Sequence, residues 1–91
     1  MIEQLIEKIK SELTTVSKSF EPGEAQSFYF WMKLEYDKYM LCSRETFLET
    51  LDLLENKYPT YKPLIDVLKD NINEYGSTQA YYRAAIELHA K

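Results

Sequence analysis

Glycine and proline are scarce in this chain: only Gly23, Gly76, Pro22, Pro59 and Pro63 punctuate its 91 residues. A many-stranded sheet needs turn residues at short intervals, so this scarcity excludes it and favours helices. The single cysteine, Cys42, has no intramolecular disulfide partner, and it is expected to be a thiol in a reducing compartment. Zinc typically takes four Cys, His or carboxylate ligands, and the chain offers one cysteine and one histidine, His89. The longest unbroken apolar run is Phe28–Met32, far short of the roughly 20 residues that cross a bilayer. Charged residues at Glu3, Glu7, Lys8 and Lys10 break up the start, whereas a signal peptide needs a continuous apolar stretch. The expected location is therefore cytoplasmic.

What the chain does contain is core material: 45% of residues are hydrophobic and 14% aromatic, too much of both for a disordered segment. At 91 residues, one domain is the expected count. Net charge is −4, and the excess sits in one place. Residues 1–20 hold three charges of each sign and residues 59–91 four of each. Between them lie eight acids (Glu21, Glu24, Glu35, Asp37, Glu45, Glu49, Asp52 and Glu55) against Lys33, Lys38, Arg44 and Lys57. An acidic middle does not neutralise phosphates, so direct nucleic-acid binding is not expected. A basic protein partner suits it better.

The apolar residues recur with helical period, which predicts an all-α fold: a bundle of four main helices over about 2–20, 24–42, 44–58 and 61–75, with a short C-terminal helix over about 78–90. In the first, Ile2, Leu5, Ile6, Ile9, Leu13, Val16 and Phe20 fall within an arc of roughly 100°. Phe20-Glu-Pro-Gly is expected to end it, with the next helix starting near Glu24. Ser43 is an expected N-cap for the third helix, whose core face reads Phe47, Leu51, Leu54 and Tyr58, with Leu53 pointing elsewhere. Thr60 is expected to cap the fourth, which buries Leu64, Ile65, Val67, Leu68, Ile72 and Tyr75 and ends at Gly76. Ser77 or Thr78 caps the last, with Tyr81, Ala84, Ala85 and Leu88 inward.

No motif marks a reaction. His89 reads as a solvated residue near a chain terminus and Cys42 as a core thiol. Carboxylates at helical spacing, Glu45 with Glu49 and Asp66 with Asp70, read as solvated faces, since the Glu-x-x-His element of di-iron bundles is missing. Neither an enzyme nor a cofactor or metal protein is expected.

The second helix carries more apolar surface than one face accommodates. Ala25, Phe28, Tyr29, Trp31, Met32, Tyr36, Tyr39, Met40 and Cys42 occupy a broad core half. Phe30, Leu34 and Leu41 form a second strip on the opposite side. A buried Phe or Leu is worth about 1.5–3 kcal/mol relative to exposure, so this strip is expected to be covered, either by the bundle's own helices or by a companion molecule. Some of the eight tyrosines must also reach the surface, where Tyr suits interfaces. The candidate contact residues are Phe30, Leu34, Leu41, Tyr29, Tyr36, Tyr61, Tyr82 and Ile86, with Glu35, Asp37, Glu45, Glu49 and Asp52 steering a basic partner. The leading expectation is a small protein-binding protein, an inhibitor or immunity factor of a microbial or phage conflict system. A self-associating homodimer or assembly protein is the alternative, and a small-molecule module with an aromatic pocket at Trp31 and Tyr39 is the third reading. No contact with a membrane is expected.

Overall fold

The computed structural model describes the backbone over residues 2–39, 43–75 and 78–90, and the side chains of all of these except 36–39 and 73–75. Five α-helices make up the described fold: α1 (Ile2–Ser17), α2 (Pro22–Tyr39), α3 (Arg44–Lys57), α4 (Lys62–Tyr75) and α5 (Gln79–His89), with one 3₁₀ turn over Pro59–Tyr61 before α4. The all-α bundle expected from the periodicity is the fold found, and no strand occurs among the described residues.

The stripe on α1 buries Leu5, Ile6, Ile9 and Leu13, with Val16 and Phe20 packed at its edge. The helix stops at Ser17 rather than Phe20, because the chain tightens into i→i+3 bonds from Ser19 N–H to Val16 O and from Phe20 N–H to Ser17 O. The Ser17 and Ser19 hydroxyls donate to the Thr14 and Val16 carbonyls, competing with the α-helical ladder.

The second helix begins at Pro22, two residues before the expected start. Proline is favoured at the first helical position, where its missing N–H would be an orphan and its φ is already helical. Glu24 completes the start, since its Oε1 accepts the Glu21 backbone N–H at 3.0 Å, one half of a capping box. Gly23 therefore lies inside the helix and does not supply a left-handed turn.

Ser43 caps α3 as expected, its Oγ accepting the Thr46 N–H at 3.1 Å. Phe47, Leu51 and Leu54 are buried, but Tyr58 is left exposed over nearly half its surface because the helix ends at Lys57 and the backbone turns away at Tyr58. Thr60 does not cap α4; it lies within the 3₁₀ turn, which Pro59 opens. Thr78 occupies the N-cap position of α5 without a side-chain cap bond. Gly76 and Ser77, and the side chain of Tyr75, lie outside the described residues.

The central element is α5. It packs against both α1 and α2, whereas α4 packs against α1 and α3. Three alanines on α5, Ala80, Ala84 and Ala85, are fully buried and allow neighbouring backbones to come close on two sides. Tyr81 and Tyr82 flank the Phe47 ring, stacked at 5.6 Å and edge-on at 4.9 Å between centroids. Ion pairs clip the outer seams. Lys10 meets Glu87 at 3.0 Å and Arg83 meets Glu3 at 3.2 Å, joining α1 to α5; Lys69 meets Asp52 at 2.6 Å, joining α4 to α3. Asn71 is buried, donating to Val67 O at 2.8 Å and to the Glu12 carboxylate at 3.2 Å.

Candidate functional site

The α2 helix turns its buried face, Ala25, Phe28, Tyr29 and Met32, toward the core. The opposite strip stays open: Phe30 is 45% exposed and Leu34 is 49% exposed. These two are one helical turn apart and so lie on one line along the helix. The Phe30 ring rests against the imidazole of His89 on α5, with centroids 5.3 Å apart. His89 is thus a half-buried neighbour of the strip and not a solvated end residue. Leu41 and the side chains of Tyr36 and Asp37 lie outside the described residues.

Two of the expected surface tyrosines are in the core. Tyr82 is 1% exposed, because α5 is covered on both sides and its second face meets Phe47. Tyr29 is 3% exposed and packs edge-on to Phe28, so its place on the core half of α2 prevails over its reading as a contact residue. Burial pushes the Tyr29 phenol up; the Ser17 hydroxyl lies near enough to soften that effect, yet outside hydrogen-bonding geometry. Ile86 is half-buried.

Tyr61 is half-buried at the 3₁₀ turn, between the rings of Phe28 at 5.3 Å and Tyr58 at 5.6 Å. It lines an open cleft of about 520 Å³ with Glu21, Glu24 and Tyr58. Burial raises its phenol, and the neighbouring Tyr58 and Glu24 add to the shift.

A second concavity lies between α2 and α3. Its volume is about 210 Å³ and it is lined by Trp31, Glu35, Thr50, Leu53, Leu54 and Lys57. Trp31, expected in the core, is only partly buried here, and Leu53 is 70% exposed. The sequence signal for this wall was Leu53 itself, the leucine of α3 that points away from the core face, Leu48 lying at its edge. The cleft is smaller than the roughly 300–1,000 Å³ of drug-sized ligand pockets, and the Tyr39 side chain lies outside the described residues.

Of the expected steering acids, Glu45 and Glu49 are exposed on α3 and Glu35 is half-buried on α2, whereas Asp52 is engaged by Lys69. Among the described residues no three His, Cys, Asp or Glu side chains come together as a metal site, and no helix is long and apolar enough to cross a membrane. Cys42 lies outside the described residues.

The chain matches no protein-family model, no curated protein and no solved structure. Its site is therefore defined by geometry: an open apolar strip on α2, bounded by His89 on one edge and by the Trp31 groove on the other.

Proposed function

We propose that this chain is a small non-catalytic protein that works by binding another protein, in the manner of an inhibitor or immunity factor of a microbial or phage conflict system. The observation that carries this reading is the exposure of Phe30 and Leu34 on a helix whose other face is already committed to the core. Two large apolar side chains left half-open on one helical line favour a contact surface. The acidic excess of residues 21–58 favours a basic partner, since charge of one sign steers its opposite and raises the association rate.

The test is co-purification from the native host with the wild-type chain and with a Phe30→Asp/Leu34→Asp variant. The reading requires a partner that elutes with the wild type at fixed stoichiometry and is lost with the variant. A wild-type chain that retains nothing above the variant's background defeats it. Sedimentation across a concentration range decides the self-associating alternative, which requires a dimer that the same double variant dissolves.

A further inference from the structure

We infer that the α2–α3 groove is the anchor pocket of the proposed contact surface, and that it takes an apolar side chain from a basic amphipathic helix of the partner. The inference rests on the protein-binding reading above and names its partner's chemistry. On α2, Trp31 lies three residues before Leu34, at the spacing of surface neighbours, so the open strip adjoins the Trp31 wall of the groove through Leu34. Leu53 forms the facing wall and is 70% exposed. The apolar ribbon thus crosses from α2 to α3, and its middle is concave.

A volume of about 210 Å³ holds one side chain, while the ribbon beyond it, over Leu34 and Phe30, is left for others. An occupant that uses both carries several apolar groups in a row. An amphipathic helix does so, with anchors at i, i+3 or i+4, and i+7.

Charge selects the sign of that helix. The segment that builds both walls, residues 21–58, carries the sequence's net charge of −4; Lys69 of α4 pairs with two of its acids, Asp52 and Glu55, which leaves Glu35 and Glu49 as the acids nearest the groove. Glu35 lies on the α2 rim, and Glu49 stands one turn before Leu53 on α3, exposed. Neither forms an ion pair among the described residues. Among the described residues that line the groove the basic one is Lys57, which holds its ammonium 5.5 Å from the centre of the Tyr58 ring. Lysine or arginine flanking an apolar stripe fits this rim, whereas glutamate in the same positions meets like charge.

Trp31 is the only tryptophan, so its fluorescence reports occupation of the groove directly. The probe is a synthetic amphipathic Leu/Lys helix of about 18 residues, or five turns, with a Leu/Glu helix of the same pattern as control. The expected result is a saturable blue shift of Trp31 with the Leu/Lys helix and none with the Leu/Glu helix. Leu53→Ser, at an exposed position and checked for unchanged helicity by circular dichroism, weakens binding about tenfold or more. The Glu35→Gln/Glu49→Gln pair weakens it severalfold and lowers its salt dependence. No shift, equal binding of both helices, or binding indifferent to Leu53→Ser overturns the inference, as does a shift produced by raising the protein concentration alone, which assigns the groove to a second copy. If Phe30→Asp/Leu34→Asp weakens the Leu/Lys helix while Leu53→Ser does not, the groove is dismissed and the protein-binding reading stands.

Discussion

The ring of Phe30 lies against the imidazole of His89, their planes tilted by 35° and their centroids 5.3 Å apart. One residue belongs to the open strip of α2 and the other to the last turn of the central helix. The edge of the strip is therefore braced from within the fold, although its outer surface is free.

That bracing separates two neighbouring substitutions. Leu34→Asp is expected to change stability by about 1 kcal/mol or less, as surface substitutions do. Phe30→Ala loses more, and a double-mutant cycle with His89→Ala gives a coupling of about 0.5–1 kcal/mol. Urea denaturation followed by circular dichroism measures both, and zero coupling places the two rings apart in solution.

Tyr82 and Tyr58 make a sharper contrast. Tyr82 is enclosed beside Phe47, and Tyr58 is 44% exposed. Tyr82→Ala is expected to cost about 3 kcal/mol or more through the cavity it leaves, against less than about 1 kcal/mol for Tyr58→Ala. Equal losses in thermal denaturation contradict the central placement of α5.

Gly23 offers a gain. A Cβ built there meets nothing within 4 Å, and the residue sits in the first turn of α2. Gly23→Ala is expected to stabilise by about 0.5–1 kcal/mol, by reducing the freedom of the unfolded chain. Glu24→Ala, which removes the bond to the Glu21 N–H, is expected to lose about 1 kcal/mol. Melting temperatures moving by a few degrees in opposite directions are the result to look for.

Alkaline pH is expected to weaken the fold. Burial raises the Tyr29 and Tyr61 phenols above their ordinary value of 10.0, and hydrogen bonds to Asp52 and to Glu87 raise the Lys69 and Lys10 ammonium groups above 10.5. In each case the folded chain holds the proton more tightly than the unfolded one. The associated stability is fully present below about pH 10 and is lost as pH climbs through the raised values. Urea midpoints are expected to be flat from neutral pH to about 9.5 and to fall above it, with a shallower fall for Tyr29→Phe. A rising midpoint in that range reverses the sign and rejects the account.

The faces of α1, α3 and α4 were legible because each packs one side against the core, which produces the 3.6-residue apolar period. The role of α5 was not. Its inner face, Tyr81, Ala84 and Ala85, is buried as expected, but the helix is covered on a second side as well, so Tyr82, which read as lying off the inner face, is enclosed too. Asn71 was invisible for a related reason: its burial depends on a carbonyl and a carboxylate that tertiary packing brings to it. Within the site, Phe30 and Leu34 stood out as apolar residues opposite a core face. The groove did not, because it exists only where α2 and α3 approach, and no spacing within either helix encodes that approach.

The main packing partners of α1 are α4 and α5, the two helices farthest from it along the chain. Ile6, Ile9 and Leu13 leave the ribosome before the two helices that cover them, α4 and α5, have been made. Contacts of such long sequence separation slow folding relative to a bundle whose neighbours follow one another. Until then the greasy side of the first helix lacks its main cover, and a nascent chain stalled before residue 62 is expected to leave that side open to water.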